Sequence, residues 1–411
     1  MSAPEVTPPR IISLGCRLNI AESEALQARF DTAGTDGRGG DLVVINSCAV
    51  TNEAVRRTRQ AIRRARRDRP GARLVVTGCA ADIEHDAIAA MPEVDALVPN
   101  AGKLDLRRYG VSASDSRGVS RPAPGSGDTA RTRAFIGVQN GCDHSCTFCI
   151  IPAGRGTSRS LTVPEVLRAV EGHIRAGAKE IVFTGVDLTS WGHDLSNNPR
   201  LGDLIEATLH EFHQLNRLRL SSVDGVEIDP ALFDLLAGEE RVMPHVHLSL
   251  QHGSDLILKR MKRRHLRRDA IDLVARLKAR RPGIAVGADI IAGFPTESEA
   301  HHADNLSIIA ECDIVHGHIF PFSPREGTPA ARMPQLNRAT IKARAADLRA
   351  AVARRRAGWL HSLVGETLPV LAERDGTGYA PSYARVRLPE GAQPGDIVPV
   401  TPSGIEEGML Q

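Results

Sequence analysis

Three of the seven cysteines in this chain stand close together, at Cys142, Cys146 and Cys149. A tetrahedral zinc site or a fully ligated iron–sulfur cluster takes four protein ligands, whereas this stretch supplies three thiols. Either a fourth ligand comes from elsewhere in the fold, or one metal position stays open. The triplet follows a short apolar run typical of a strand, so we expect it in the loop after that strand.

Three further cysteines share a position in the first part of the chain. Cys16, Cys48 and Cys79 each come directly after a predicted strand. Because the carboxyl ends of parallel strands meet at one edge of a sheet, the fold would bring these distant thiols together. The alternative is that they are small buried core residues, since free cysteine packs well. We assign that structural role to Cys312, which has no thiol near it in sequence.

The elements that position these cysteines form three units. Residues 8–110 alternate strands and helices, which predicts an open parallel βα sheet, and residues 111–130 form a linker rich in Ser, Gly and Pro. Residues 131–363 contain six βα repeats and a trailing Arg-rich helix. Six repeats are too few for a closed eight-stranded barrel, so we expect a partial (βα)6 barrel that is open on one side. Residues 364–411 contain short strands between Gly and Pro, which predicts a small all-β barrel. The strands predicted for the partial barrel are 134–139, 180–186, 217–223, 245–251, 284–294 and 314–322.

Bulk composition is that of an ordinary globular protein, with 42% apolar residues, 25% charged residues and a net charge of +3. No apolar run approaches the roughly 18 residues of a transmembrane helix. The first ten residues lack the basic start and apolar segment of a signal peptide. We therefore expect no membrane association and a cytoplasmic location, where thiols stay reduced and clustered cysteines bind metal rather than pair.

Basic side chains are concentrated in three places although the net charge is near neutral. Two clusters lie at 259–264 and 354–356, and the third lies on the helix predicted after Thr51. A single basic run is ordinarily a solvated helix face. Three runs in a nearly neutral chain indicate that acidic residues are segregated elsewhere, which suits an RNA phosphate surface. The candidates for RNA contact on the third cluster are Arg63, Arg64, Arg66 and Arg67.

Longer motifs carry a family resemblance over nearly the whole chain. "LGCRLNIAESE", "VINSCAVTNEAVRRTRQAIRR" and "VVTGCAA" resemble the N-terminal domain of the radical S-adenosylmethionine (SAM) methylthiotransferases. "GCDHSCTFCIIPAGRGTSRS", "SLQHGSDLILKRMKRRH" and "FPFSPREGTPAARM" resemble the radical SAM domain of that family. The tail around "GYAPSYARVRLP" resembles its TRAM domain, an RNA-binding β-barrel. The family often has "GFPGE" and "QSGS" where this chain has "GFPTE" and "QHGS".

The resemblance implies two [4Fe–4S] clusters and SAM as cofactors. It implies that Cys142, Cys146 and Cys149 bind the cluster that chelates and cleaves SAM at its open iron, and are the catalytic ligands. It likewise implies that Cys16, Cys48 and Cys79 bind the second cluster, which supplies the sulfur. SAM itself would be held at the strand ends of the partial barrel. The candidates for contacting it are Phe148, Gly185, Asp187, Ser222, Gln251 and Gly293.

The implied activity is methylthiolation of C2 of N6-threonylcarbamoyladenosine, next to the anticodon of tRNA. Besides the tRNA, such an enzyme needs an electron donor and a sulfur source, which the sequence does not identify. One alternative is the same chemistry on isopentenyladenosine in tRNA or on a ribosomal protein. A more distant alternative is a zinc-dependent RNA-binding module without catalysis.

Overall fold

A computed structural model describes residues 9–33, 41–111 and 132–411. The predicted linker at 111–130 lies outside these residues except for its first position. In the described ranges, a parallel α/β unit is followed by a larger parallel α/β unit and then by a smaller, mostly antiparallel sheet. Of the helices in these ranges, none combines the length and apolar character that crossing a membrane requires.

The N-terminal unit contains, in chain order, β1 (Arg10–Ser13), α1 (Arg17–Ala33), β2 (Leu42–Ser47), α2 (Asn52–Asp68), β3 (Arg73–Gly78), α3 (Cys79–Ile83), α4 (His85–Ala89) and β4 (Ala96–Leu97). Its four strands are parallel and lie in the order β1-β2-β3-β4. Every residue of β2 is buried, because helices cover both faces of the sheet. Leu26 and Phe30 of α1 pack on one face, and Ile62 and Ala65 of α2 pack on the other. The open parallel sheet predicted for this unit is confirmed in its strand pairing.

Helix α2 begins where the sequence predicts. The hydroxyl of Thr51 accepts a hydrogen bond of 3.1 Å from the backbone N–H of Ala54, which is an N-cap contact. The buried residues of α2 are Val55, Thr58, Ile62 and Ala65, at the spacing of one helical face. The arginine-rich remainder of the helix is therefore directed away from the sheet.

The central unit contains β5 (Arg133–Gly137), β6 (Gln139–Asn140), α5 (Ile151–Arg155), β7 (Arg159–Ser160), α6 (Val163–Arg175), β8 (Glu180–Thr184), α7 (Leu201–Glu211), β9 (Arg217–Leu220), β10 (Ser222–Val223), α8 (Pro230–Gly238), β11 (His245–Gln251), α9 (Asp255–Arg260), α10 (Arg267–Arg280), β12 (Ala285–Ala292), α11 (Glu299–Glu311), β13 (Ile314–Pro321) and α12 (Arg338–His361). Its parallel strands form two sheets, β5-β8-β9 and β10-β11-β12-β13. Only Ser221 separates β9 from β10, so these two strands together correspond to the predicted strand at 217–223. The six predicted strands are therefore all present, in the expected chain order. Closure into a partial barrel stays a prediction.

Alternating residues of the central strands face opposite sides. Val246, Leu248 and Leu250 of β11 belong to the core that packs under the helices. His245 and His247 alternate with them and lie on the opposite face of β11, because successive side chains of a strand point in opposite directions. The same core contains Cys312, which is fully buried at the end of α11. The predicted packing role of Cys312 is confirmed in its burial.

A short antiparallel pair, β6 with β7, is absent from the sequence-based prediction. Gln139 pairs with Ser160, and Asn140 pairs with Arg159. The pair joins the two ends of the loop that carries Cys142, Cys146 and Cys149. It therefore fixes the base of that loop at the carboxyl end of β5.

The C-terminal unit contains β14 (Leu368–Ala372), β15 (Thr377–Tyr379), β16 (Arg385–Arg387), β17 (Ile397–Val400), β18 (Ile405–Glu406) and β19 (Met409–Leu410). These strands form one sheet in the order β17-β14-β15-β16-β19-β18. Tyr383 of this unit reaches the first two units: Arg17 donates to its hydroxyl at 2.7 Å and Arg133 at 3.2 Å. Its ring also stacks on Tyr379, so Tyr383 joins the three units. Closure of the sheet into a small barrel stays a prediction.

Candidate active site

The three N-terminal cysteines lie at the carboxyl edge of their sheet. Cys48 directly follows β2, Cys79 is the first residue of α3 directly after β3, and Cys16 lies in the bend between β1 and α1. A Cβ placed on Gly15 would lie 3.0 Å from Cys48 Sγ, so the Cys16 loop touches Cys48. The parallel fold thus brings the three thiols together, as the strand-end pattern predicts.

The approach of Cys79 depends on the glycine before it. Gly78 has φ of +89°, in the region that favours glycine, and a Cβ there would lie 2.5 Å from the carbonyl oxygen of Ser47. Burial raises the pKa of the Cys48 thiol, and the neighbouring charges of Cys79 and Cys16 raise it further. Burial also raises the pKa of Cys79. These thiols therefore hold their protons until a metal displaces them.

The second triad lies in a loop held by backbone hydrogen bonds. The N–H of Cys142 donates to Gly156 O at 3.1 Å, and the N–H of Cys149 donates to Cys146 O at 3.1 Å. The N–H of Thr147 donates to Met261 O at 3.1 Å, which ties the loop to the end of α9. Burial raises the pKa of Cys142 to about 12 and that of Cys149 to about 11. Metal binding at this triad must likewise release protons.

The sulfur atoms of each triad are not arranged as tightly as the ligands of one zinc ion. Four thiolates about 2.3 Å from one zinc lie roughly 3.8 Å apart, which is the edge of that tetrahedron. In the part of the chain that the structure describes, neither triad has all three sulfur atoms within 4.8 Å of one another. At least one sulfur–sulfur separation in each triad is therefore longer than that edge. Three soft thiolates are the ligand type of an iron–sulfur cluster.

The two triads are neighbours in space. Helix α5, which begins two residues after Cys149, packs on α3, which begins at Cys79. A Cβ on Gly154 of α5 would lie 3.4 Å from the carbonyl oxygen of Cys79. Burial is the main cause of the raised pKa of Cys149, and the charge of Cys79 makes a smaller contribution that raises it further. The fold thus places two three-thiol sites side by side, on different units of the chain.

A buried polar network lies between the triads. Arg155 donates to Glu22 at 2.8 Å and to Asn19 at 2.6 Å, and Lys103 donates to Glu22 at 2.5 Å. The side chain of Asn19 in turn donates to the carbonyl oxygens of Leu14 and Ser47, which precede Cys16 and Cys48. Burial alone would raise the pKa of Glu22, but the charges of Lys103 and Arg155 hold it below its ordinary value. The network braces the N-terminal cysteine loops and carries more positive than negative charge beside their thiols.

Asp187, a candidate for contacting SAM, faces the second triad directly. Its carboxylate lies 2.8 Å from His144 Nε2, accepts from Ser190 at 2.7 Å and lies 3.8 Å from Cys142 Sγ. Gly185 stands two residues earlier, and Gln139 Oε1 accepts from the N–H groups of Val186 and Asp187. Asp187 is thus engaged by protein partners, chiefly His144, at the position where a contact to SAM is predicted.

The remaining SAM candidates lie in three places. Gln251 ends β11 and Gly293 follows β12, so both lie at the carboxyl edge with Gly185. Ser222 donates to Asp289 at 3.4 Å and is paired with His247 of β11. Phe148 is partly buried in an apolar cluster with Phe294, whose ring centroid is 6.5 Å away. Their roles toward SAM stay predictions.

The "GFPTE" loop, where the sequence departs from its family's usual pattern, has a strained residue. Thr296 has φ of +67°, although a β-branched residue is disfavoured in that region. Its hydroxyl accepts a hydrogen bond of 2.7 Å from Arg260. Buried Glu297 accepts from the N–H groups of Gly293 and Phe294 at 2.9 and 3.1 Å, which fixes the loop. The positive φ explains why glycine suits this position.

Several side chains at the site were missed from the sequence. Arg263, assigned above to a basic cluster, has a side chain that is only 8% exposed. It lies 3.6 Å from Cys146 Sγ and donates to Asp224 at 2.8 Å. Arg155 and His144 belong to the quoted cysteine motif, so their nearness to the cysteines in sequence was a usable signal. A second usable signal was the pair His245 and His247, which are two residues apart in a predicted strand and therefore lie on one face of it. Nothing in the sequence pairs Glu22 or Lys103 with this site.

The four arginines predicted to contact RNA differ in their surroundings. Arg63, Arg64 and Arg67 are exposed on α2. The guanidinium of Arg66 instead donates to the carbonyl oxygens of Glu93 at 2.8 Å and Ala72 at 2.6 Å, and to Asp95 at 2.6 Å. Arg66 therefore ties α2 to the loops beside β3 and β4. Of the four arginines predicted to contact RNA, the exposed Arg63, Arg64 and Arg67 remain as candidates.

Two protein families match the chain. The "Radical SAM superfamily" matches residues 136–307, which include the second triad. The "Uncharacterized protein family UPF0004" matches residues 9–99, which include Cys16, Cys48 and Cys79. The two matches divide the cysteine sites between them in the same way as the fold does.

Relatives align with nearly the full length. The chain is 41% identical to "Threonylcarbamoyladenosine tRNA methylthiotransferase MtaB" of Rickettsia prowazekii (strain Madrid E), over 98% of this chain and 96% of the relative. It is 35% identical to the protein of the same name from Bacillus subtilis (strain 168), over 78% and 74%. It is 32% identical to "tRNA-2-methylthio-N(6)-dimethylallyladenosine synthase" of Erythrobacter litoralis (strain HTCC2594), over 89% and 86%.

Solved structures support the fold class. The radical S-adenosylmethionine methyltransferase TsrM from Kitasatospora setae superposes with a TM-score of 0.56 at 16% identity, covering 79% of this chain and 75% of that one. The cobalamin-dependent S-adenosylmethionine radical enzyme OxsB superposes with a TM-score of 0.51 at 12% identity, covering 84% and 56%. At these identities the likeness shows the fold alone, which confirms the predicted α/β class.

Proposed function

The chain belongs to the family of radical SAM tRNA methylthiotransferases, and from that membership we propose that it methylthiolates C2 of N6-threonylcarbamoyladenosine in tRNA. The relatives with the highest identity carry that activity in their names. The observation that carries the proposal is the pair of adjacent three-thiol sites, one at 142–149 and one formed by Cys16, Cys48 and Cys79. Methylthiolation needs two such sites, because a radical must be generated and a thiomethyl group must be delivered.

The cofactors of the proposed reaction are two [4Fe–4S] clusters and SAM, which supply the electron, the radical, the sulfur and the methyl group. The thiolates of Cys142, Cys146 and Cys149 would hold one cluster and those of Cys16, Cys48 and Cys79 the other. Three thiolates per cluster would leave one iron open to another ligand in each. The residues that we propose to contact SAM are Gly185, Asp187, Ser222, Gln251, Gly293 and Phe148.

The protein's own contribution is placement. The loop of the second triad is fixed by β6, β7 and the end of α9, so its thiolates stay in position. Arg263 donates to Asp224 and to the carbonyl oxygen of Ser249, and it places positive charge beside Cys146. Arg155 likewise places positive charge between the two triads. Such fixed charges stabilise bound anionic groups without rearranging during the reaction.

The tRNA would bind across more than one unit. We propose 8–110 as the domain of the second cluster, 111–130 as a linker, 131–363 as a partial (βα)6 radical SAM barrel with its trailing helix, and 364–411 as a TRAM-like barrel. Exposed Arg63, Arg64 and Arg67 would contact phosphates.

All seven cysteines are free thiols, which supports a reducing, cytoplasmic location. The electron donor and the sulfur source are separate partners.

Nucleoside mass spectrometry tests the proposal. The reconstituted enzyme, SAM and a reductant are incubated with tRNA that carries N6-threonylcarbamoyladenosine, and with matched tRNA that carries isopentenyladenosine. We expect the 2-methylthio product on the first tRNA only. The isopentenyl substrate is the second candidate, because a relative at 32% identity is named for the corresponding dimethylallyladenosine product. Product on the isopentenylated tRNA alone would replace the first assignment with the second.

A further inference from the structure

A group of two histidines and one aspartate lies on one face of the β10-β11-β12-β13 sheet, apart from both cysteine triads. His247 Nε2 and His318 Nδ1 each lie 3.1 Å from the same oxygen, Oδ1 of Asp289. The two imidazole rings lie 4.6 Å apart, centroid to centroid. The three residues come from three adjacent strands, β11, β12 and β13.

Strand register places this group close to the carboxyl edge, where the candidates for SAM lie. Asp289 and His318 are directly paired across β12 and β13, and Ser222 is directly paired with His247 across β10 and β11. The register between β11 and β12 shifts after Leu248, so Gln251 is paired with Ile290, the residue directly after Asp289. Asp289 thus lies only one residue inside the level of the SAM candidate Gln251.

The backbone is adapted to hold this arrangement. A Cβ on Gly287 would lie 2.3 Å from His247 Nδ1, so any larger residue would displace the ring. Burial alone would raise the pKa of Asp289, but hydrogen bonds from His247 and His318 and the charges of those rings hold it below its ordinary value. Asp289 is therefore an anion that can serve as counter-charge to an imidazolium.

The group is buried at one end and open at the other. The side chain of His247 is 7% exposed, whereas that of His318 is 60% exposed. Phe320, two residues along the same face of β13, is 39% exposed, and its ring is perpendicular to that of His318 at 6.5 Å. Among the described residues, His318 Nε2 has no hydrogen-bond partner. A purely structural ion pair gives no reason for one ring and a neighbouring aromatic to face open space.

We propose that His318 and Phe320 form the subsite for the substrate base, in which Phe320 stacks on the adenine and His318 binds the carboxylate of its N6 substituent. Asp289 acts as a positioning residue, because it fixes the ring of His318 through Nδ1 and directs Nε2 outward. An imidazolium donates from both nitrogens, so it bonds Asp289 on one side and an anion on the other. The inference rests on the proposed function, since it names the part of the site that selects a threonylcarbamoyl group.

The test compares two forms of one substrate. tRNA carrying N6-threonylcarbamoyladenosine is offered either as the free acid or as its methyl ester, which removes the negative charge. We expect the wild-type enzyme to prefer the acid. His318→Ala should lower kcat/KM for the acid by about tenfold to a hundredfold, the worth of a hydrogen bond to a charged group. The rate on the ester should change little, so the preference disappears.

Further variants separate binding from folding. His318→Gln retains a donor and should recover part of the preference. Phe320→Ala should lower the rates on acid and ester alike, because stacking is independent of the substituent's charge. Asp289→Asn should reduce the preference as His318→Ala does. His213→Ala, an exposed histidine on the far side of the unit, is the matched control and should behave as wild type. Iron content and the thermal unfolding midpoint of His318→Ala should match wild type, which shows that the variant is folded.

The outcomes distinguish this inference from the proposed function. If the wild-type enzyme prefers the acid and His318→Ala keeps that preference, the subsite inference is overturned and the proposed function stands. If the wild-type enzyme does not modify either form, the proposed function fails first. His247, Asp289 and His318 each have one potential metal-ligand atom, and these three atoms lie within 4.8 Å of one another. Metal analysis therefore completes the test. A non-iron metal ion at one per chain, lost in His247→Ala, would show a cation site and would also overturn the inference.

Discussion

Arg155 of the central unit donates a 2.8 Å hydrogen bond to Glu22 of the N-terminal unit, and both side chains are almost completely buried. The two residues stand beside different cysteine triads, since Arg155 ends the helix after Cys149 and Glu22 lies on the helix after Cys16. The ion pair therefore fixes the relative position of the two sites.

We expect Arg155→Met to weaken the contact between the first two units. Removing one partner from a buried ion pair costs about 3–5 kcal/mol, and Lys103 remains to compensate Glu22 only in part. The variant should also lose iron preferentially from the site of Cys16, Cys48 and Cys79, whose loops the network braces. Urea unfolding and iron content measure both effects. Arg168→Met, at an exposed position on α6, should match wild type; equal effects of the two changes would contradict this role.

The two triads should hold separate clusters. Replacing Cys142, Cys146 and Cys149 with Ala should remove about half of the iron and abolish SAM cleavage. Replacing Cys16, Cys48 and Cys79 should also remove about half of the iron but leave SAM cleavage measurable. Cys312→Ala is the control: it should keep all iron and lose at most about 1 kcal/mol of stability. Loss of SAM cleavage in both triple variants would rule out separate roles.

Arg66 should differ from its neighbours on α2. Arg66→Ala should lower the free energy of unfolding by about 1–3 kcal/mol, because the partly buried carbonyl oxygens of Glu93 and Ala72 and the exposed carboxylate of Asp95 lose their donor. Reversing the charge at Arg63, Arg64 and Arg67 should leave stability nearly unchanged and weaken tRNA binding. It should also flatten the salt dependence, by up to about 0.9 in the log–log slope for each lost phosphate contact. Binding titrations at several salt concentrations check this, and an unchanged slope would exclude the α2 surface from RNA contact.

Thr296 should carry measurable backbone strain. Thr296→Gly and Thr296→Ala both lose the hydroxyl that accepts from Arg260, but only glycine relieves the cost of positive φ. We expect the Gly variant to be more stable than the Ala variant by about 1 kcal/mol. Chemical unfolding of the pair isolates the strain, and equal stability would show that the loop adjusts without cost.

Acid should destabilise the central unit through Glu180. This buried carboxylate accepts from Arg219 at 2.9 Å, and although burial alone raises its pKa, Arg219 and neighbouring arginines hold the pKa below 4.5. A lowered folded-state pKa gives stability that is present above the unfolded-state value and is lost as the pH falls below it. Unfolding free energies should therefore fall below pH 4.5, and less steeply in Glu180→Gln.

Glu53 provides the control for that acid response. Hydrogen bonds from Arg56 and Arg57 lower its pKa to about 2, but it is fully exposed. Salt screens such surface pairs, so Glu53→Gln should not alter the acid profile at high salt. A profile that responds equally to both substitutions would mean that burial is not the cause.

Much of the architecture follows from local sequence. The apolar runs before Cys16, Cys48 and Cys79 predict strands, and the parallel order then places the cysteines at one edge. Thr51 predicts the start of α2, and the six central strands appear close to their expected positions. These features depend on side-chain periodicity and on neighbouring residues, which the sequence contains directly.

Pairings between distant residues required the tertiary structure. Arg66 and Arg67 are adjacent and chemically identical, yet one is bound by loop carbonyls and the other is exposed. Likewise, Arg155 meets Glu22, and Asp289 meets His247 and His318, only because separate helices and strands pack together. Whether a charged group is solvated, paired or directed into a cavity depends on packing and on the local dielectric, and both arise from contacts between residues far apart in the chain.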